Sequence, residues 1–248
     1  GIDPFGFDPQ VARYALAVAA FFHRAYFRTV VRGIENVPKG RVLIVANHSG
    51  QVPIDGMLIA TSLILDAEPP RFPRGMVEKW SATLPFFSVF FPRTGQVIGS
   101  PENARRLLNQ EEAVVVFPEG VKGISKPFSR RYRLEAFGNG FMRLALEART
   151  PIVPVSVIGA EEQYPSIMNL GRLGKLIGAP ALPVLPQLLF GWALPLPTRI
   201  RITFGKPMWF EGDPDDEDAI VDQKVGVVKN TIQSMLHDGL AARRSIFR

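Results

Sequence analysis

Three short apolar runs constrain the fold most. Val42 to Ala46, Val114 to Phe117 and Pro151 to Ile158 are rich in Val and Ile and too short for buried helices. They lack the strict alternation of a strand with one wet face, so both faces of each are expected to be buried, as in a parallel sheet covered by helices.

Helix-like segments separate these runs. Met57 to Leu65, Pro101 to Leu108 behind Ser100, and Phe137 to Glu147 read as helices, so strands and helices alternate along the chain. The chain has 248 residues, enough for one sizeable core, and no linker divides it. The expected fold is α/β, a single domain with a mostly parallel central sheet, mixed at an edge, flanked by helices.

The flanks complete the outline. Asp8 and Pro9 predict a cap and a first helical residue, opening an amphipathic helix that ends near Phe27. Residues 1–28 are thus read as an N-terminal helix and 29–248 as the main domain. Thr29 to Ile34 and Gly75 to Val77 read as short strands. Lys79 to Phe91 is helix-like, aromatic and broken by Pro85, and its Phe86, Phe87, Phe90 and Phe91 read as core. Arg199 to Phe204 predicts a last strand and Asp216 to Leu236 a last helix, with the acidic Glu211 to Asp218 at its N-terminal end.

Chemistry concentrates where the first run ends, at Asn47-His48-Ser49-Gly50-Gln51-Val52-Pro53-Ile54-Asp55-Gly56. A histidine leaving a strand and a carboxylate opening the next helix can meet across one turn. The carboxylate then fixes the imidazole tautomer and stabilises the imidazolium, which makes a general base. The plainer reading has His48 as a bonded loop residue and Asp55 as a helix cap. His23 and His237 sit in helix-like segments without such a setting. A second strand end, Phe117-Pro118-Glu119-Gly120, has the same punctuated form.

With these residues in view, the sequence resembles the glycerolipid and lysophospholipid acyltransferases. The family's first motif, an Asn and His followed by an Asp, is similar to Asn47, His48 and Asp55; its Phe-Pro-Glu-Gly motif matches Phe117 to Gly120, and its Val-Pro-Val strand resembles Ile152 to Val157. The order and distances between motifs also fit, over roughly residues 29 to 210. The resemblance implies a glycerol-phosphate-acyltransferase-like fold and transfer of a fatty acyl group from an acyl thioester to a lipid hydroxyl. His48 would be the base, Asp55 its partner, and Glu119 and Gly120 would shape the acceptor site. No resident cofactor is implied; acyl-coenzyme A or an acyl-carrier protein is the expected donor and a lipid the acceptor.

Two departures stand out. Six residues separate His48 from Asp55 where the family has four. Pro101 stands where phosphate-reading members carry an Arg. Arg93, and Lys122, Lys126, Arg130 and Arg131 in the loop after Glu119, could supply that charge, since guanidinium forks match phosphate geometry; a solvated basic face is the competing reading. The phenylalanines of Phe86 to Phe91 could alternatively wall an acyl tunnel.

Composition bounds the rest. There is no cysteine, which excludes a disulfide framework, a thiolate metal site and a cysteine nucleophile, and makes a reduced, cytoplasmic setting the default. No Gly-x-Ser-x-Gly elbow, phosphate loop, dinucleotide fingerprint or metal-ligand cluster is present. The net charge of +6 and a pI near 9.8 favour anionic partners, among which nucleic acid has the least support. Ile177 to Thr198 carries no charged side chain and is broken by prolines, so it reads as an apolar surface able to dip into a membrane or cover a lipid pocket rather than span a bilayer, with simple core packing as the competing reading. Peripheral membrane association is the expected location. A lipid-binding protein without transfer activity and a thioester or lipid hydrolase are the alternatives.

Overall fold

The computed structural model describes residues 2–50, 52, 54–170 and 183–247. In chain order the strands are β1 Val30–Arg32, β2 Val42–Ala46, β3 Pro73–Val77, β4 Val97–Ile98, β5 Ala113–Val116, β6 Ile152–Ile158, β7 Met168–Asn169, β8 Pro183–Val184 and β9 Arg201–Phe204. The helices are α1 Pro9–Phe21, α2 Ile54–Leu65, α3 Phe87–Arg93, α4 Pro101–Asn109, α5 Val121–Ile124, α6 Gly140–Glu147, α7 Pro186–Leu189 and α8 Asp218–Ala241.

Seven strands form one sheet in the order β1, β9, β6, β2, β5, β3, β4, and β7 pairs with β8 in a separate hairpin. From β6 to β4 every pairing is parallel; β9 runs antiparallel to β6, and β1 follows β9. The sheet is therefore mixed at one edge. The central β2 lies between β5 and β6, and all five of its residues are buried. Leu43 and Val45 join the core cluster that includes residues of α4, α6 and α8, while Val42, Ile44 and Ala46 join the one that includes residues of α2. Both faces being dry explains why β2 shows no alternation. Truncating Leu43, which is fully buried, would cost about 2–5 kcal/mol through lost burial and a cavity.

Local signals place the helices. Asp8 caps α1 by accepting from Gln10 and Val11, with Pro9 as its first residue, and Ser100 caps α4 by accepting from the Asn103 amide. After α1 the chain widens into a π turn, Phe22–Tyr26, which buries His23 against α2. His23 Nε2 lies 2.9 Å from Ser62 Oγ, which itself donates to Leu58 O. The imidazole therefore donates from Nε2.

Other expectations need correction. Phe86, Phe87 and Phe90 are exposed rather than core, and only Phe91 is half-buried. A 3-10 turn, Lys79–Thr83, and α3 replace the single broken helix, because Phe86, with φ of 66°, interrupts it. Of the uncharged Ile177 to Thr198 segment, residues 177–182 lie outside the described residues. The remainder holds β8 and α7 and continues as turn and irregular chain.

Candidate active site

The chain is fixed before it reaches His48. Asn47, buried at the end of β2, donates from Nδ2 to Val157 O at 3.1 Å and accepts at Oδ1 from Val157 N at 2.7 Å. Its amide side chain thus extends the pairing of β2 with β6 by one step. Asn47-His48-Ser49 has the form of a glycosylation acceptor, and a glycan on Asn47 is incompatible with that burial.

His48 and Asp55 meet. His48 Nδ1 is 2.9 Å from Asp55 Oδ2, and the carboxylate, fully buried in the first turn of α2, also accepts from Ser49 N at 2.7 Å and Gly56 N at 2.8 Å. Three donors compensate for its burial. Because Oδ2 already accepts a backbone N–H, it acts as an acceptor towards the imidazole as well. The ring proton then sits on Nδ1, and Nε2 keeps its lone pair. One ring face stacks on Phe117 with centroids 4.2 Å apart.

The longer spacing is taken up around Gly50. Its φ is +80°, and a Cβ there would lie 2.9 Å from Ala160 O, so only glycine lets the loop pass this close to the end of β6. Gln51 and Pro53 lie outside the described residues.

Glu119 holds the backbone of the site. Its Oε1 accepts from His48 N at 2.9 Å, and its Oε2 accepts from Glu135 N at 2.7 Å and from Lys126 Nζ at 3.4 Å. Lys126 Nζ also donates to Glu161 Oε1 at 3.2 Å and to Arg133 O at 3.1 Å, and Glu161 accepts from Tyr132 N at 3.0 Å. Burial pushes the Glu161 carboxyl above its usual range, with Lys126 opposing. One shell further out, the Tyr132 hydroxyl donates to Glu162 and accepts from Gly159 N, while Arg243 pairs with Glu162 at 2.7 Å. Burial first, then Glu162, holds the Tyr132 phenol proton well above its ordinary range.

The basic loop is not one surface. Lys126 is buried and turned inward between two carboxylates, so it is a structural cation rather than an arm open to a phosphate. Arg130 pairs with Glu135 at 2.8 Å and Arg131 stacks over Phe128 at 4.5 Å. Lys122 and Arg133 are exposed and, among the described residues, have no ion-pair partner. Arg93 is exposed at the end of α3, and no described bond joins its side chain to His48 or Glu119. Gly120 sits in a left-handed conformation with Glu78 beside it, so the ends of β3 and β5 adjoin.

Three residues escaped sequence reasoning. Phe117 walls the imidazole, although it opens the Phe-Pro-Glu-Gly motif that had been noticed. Gly123 lets α5 press on the site: a Cβ there would stand 2.8 Å from His48 Cβ and 2.9 Å from Glu119 Cβ. Glu161 carried one signal, an acidic pair directly after an apolar strand. The Gly56 amide at the start of α2 is committed to Asp55 Oδ1 and is not free to serve an oxyanion.

Among the described residues no group of three His, Asp or Glu side chains could hold a metal ion. The cavity lined by Val37, Pro38, Asp66, Ala67 and Arg71, about 260 Å³, lies by the amino end of β2 and includes no site residue. No described helix is long and apolar enough to cross a membrane.

The His48 and Asp55 pair thus sits at the carboxyl rim of the parallel part of the sheet, braced by buried Glu119 from the end of the neighbouring strand β5. The family model named Acyltransferase matches residues 28–158, and the chain belongs to that family. Uncharacterized protein Rv0502 of Mycobacterium tuberculosis is 37% identical over 99% of this chain and 71% of its own length. The DGAT1/2-independent enzyme synthesizing storage lipids of Gallus gallus is 24% identical over 83% of this chain and 58% of its own. A probable 1-acyl-sn-glycerol-3-phosphate acyltransferase of Mycoplasma pneumoniae is 29% identical over 63% and 60%. Among solved structures, the 1-acyl-sn-glycerophosphate acyltransferase PlsC of Thermotoga maritima shares the fold, with a TM-score of 0.59 at 19% identity over 94% of this chain and 83% of that one.

Proposed function

We propose that this protein transfers a fatty acyl group from an acyl thioester, acyl-coenzyme A or acyl-carrier protein, to a hydroxyl of a glycerolipid or lysophospholipid at a membrane surface. The observation that carries the reading is the 2.9 Å contact between His48 Nδ1 and buried Asp55 Oδ2, which leaves Nε2 basic at the rim. The acceptor hydroxyl gives its proton to Nε2 as its oxygen attacks the thioester carbonyl carbon. The tetrahedral oxyanion collapses, the C–S bond breaks, and the departing thiolate takes the proton back from the imidazolium. Ester and free thiol result, with no acyl-enzyme. Asp55 stabilises the imidazolium between the two transfers.

The acceptor is read as uncharged at the headgroup or as a lysophospholipid, with glycerol-3-phosphate poor. Support comes from Pro101, which opens α4 behind Ser100 and offers no guanidinium, and from the inward engagement of Lys126. Lys122, Arg130, Arg131 and Arg133 remain as the cations for any phosphate-bearing substrate.

Thiol release from oleoyl-coenzyme A and oleoyl-carrier protein, with and without monoacylglycerol, lysophosphatidate, other lysophospholipids and glycerol-3-phosphate, tests this. Acceptor-dependent release with ester product is expected. Release independent of acceptor identifies a hydrolase, and none with any pair leaves only lipid binding.

A further inference from the structure

Four arginines, Arg32, Arg199, Arg201 and Arg243, gather where β1 and β9 begin. Arg201 lies opposite Val30 of β1 on one side and opposite Ile158, the last residue of β6, on the other. Ile200 and Ile202 fill the core on the α2 side, so the alternation of a strand turns Arg199 and Arg201 to the α8 side, where Arg32 joins them from β1. The end of α8 passes there. Gly239 packs on Ile158, Arg243 reaches Glu162 at 2.7 Å, and Arg199 N donates to Ile246 O at 2.8 Å. Among the described residues the side chains of Arg32, Arg199 and Arg201 have no hydrogen-bond or ion-pair partner, and Arg199 Nε is buried without one. Burial first, then Arg199, Arg32 and Arg243, lower the Arg201 pKa, and no carboxylate opposes them.

We infer that this cluster binds the phosphates of a coenzyme A donor, whose pantetheine arm reaches from there to His48. An edge strand can carry charge merely to repel another sheet, and exposed Arg32 alone would need no other account. Arg201 differs. It stands on the second strand, half-buried, where three like charges around it cost stability until an anion offsets them. Guanidinium forks take two phosphate oxygens at once, and coenzyme A carries phosphates on both sides of its ribose, which suits arginines on two adjacent strands. The position also fits. Asn47 is level with Val157, and Val157 pairs with Ile202, so the cluster begins two strand spacings, about 10 Å, from the residue before His48. A carrier protein would lay acidic helices over a broad surface, whereas this charge converges on one half-buried side chain, which favours a small polyanion. The inference rests on the acyltransferase reading for the identity of the ligand, and it leaves the loop after Glu119 to the acceptor.

The test is calorimetric titration of the full chain with coenzyme A, without acyl group or acceptor, so binding is scored apart from transfer. Coenzyme A is expected to bind, adenosine 3′,5′-bisphosphate to compete with it, and dephospho-coenzyme A to bind more weakly. Arg199→Gln with Arg201→Gln is expected to lower coenzyme A affinity about tenfold or more, as loss of hydrogen bonds to a charged group does. Arg32→Gln, at an exposed site that leaves folding untouched, is expected to lower it by less. Lys39→Gln with Lys206→Gln removes equal charge at the opposite end of the sheet and is expected to change little. Absence of coenzyme A binding, unchanged affinity in both arginine variants, equal loss in the lysine control, or a carrier protein that needs these arginines when coenzyme A does not would each overturn it. His48→Ala is expected to bind coenzyme A as the parent chain does, so transfer that fails while binding holds would fault the catalytic reading alone.

Discussion

Around His48 the buried charges are partnered across distant segments, whereas the Phe86 segment on the same rim leaves its largest side chains in water. The first region joins β2, the loop after β5 and the end of β6 through Glu119, Lys126 and Glu161. The second is joined to the body mainly through α1 and the turn at Lys79–Thr83. The contrast teaches that one rim can hold a fixed hydrogen-bond frame next to a segment whose large side chains contribute little to folding.

The largest effect should come from the centre of the fixed frame. His48→Ala is expected to lower transfer by about two to four orders of magnitude while the circular dichroism spectrum and melting temperature hold, as general-base loss does. A variant with near-wild-type turnover would remove His48 from the mechanism.

Stability should then separate the two regions. Lys126→Met leaves Glu119 and Glu161 buried without their shared cation and is expected to cost about 3–5 kcal/mol in urea unfolding, as breaking a buried pair does. Phe86→Ser, at an exposed site, should stay within about 0.5 kcal/mol. Similar losses for both would erase the distinction.

A smaller effect concerns His23, beneath α1. Burial lowers its pKa from the ordinary 6.5, Arg24 adds to this, and Asp66 at 3.9 Å opposes. A depressed pKa means the folded state prefers the neutral ring, so its contribution is complete above the unfolded value of 6.5 and is lost as pH falls from there through the folded value. Unfolding free energy should fall between pH 7 and 5 with a His23 share of at most about 1.4 kcal/mol per pH unit. His23→Asn should flatten that slope; an unchanged slope would assign it to other groups.

The sheet was legible because its strands are continuous apolar runs, and the His48 and Glu119 motifs because they punctuate strand ends. The reversed direction of β9, one strand in from the β1 edge, followed only loosely from that pattern. Phe86 to Phe90 misled because hydrophobicity says what a side chain avoids and not where the chain places it, and the break at Phe86 leaves these rings exposed. Lys126 misled for another reason: its place among basic residues suggested a ligand arm, while its partner Glu161 lies thirty-five positions away, beyond any local pattern. The role of Glu119 was similarly hidden, since a motif shows which residue matters but not that it holds the His48 backbone.

The clamp at Asn47 also sets a limit on how the protein ages. Deamidation would convert the Nδ2 donor into an oxygen facing Val157 O, turning an attractive contact at 3.1 Å into a repulsive one just before His48. Hydrolysis that releases ammonia and puts oxygen in place of the amide nitrogen, a gain of about one dalton, would thus loosen the join between β2 and β6. Peptide mapping of stored protein, read beside residual activity, should show Asn47 conversion only in the inactive fraction, and full activity in a converted fraction would show that the clamp is dispensable.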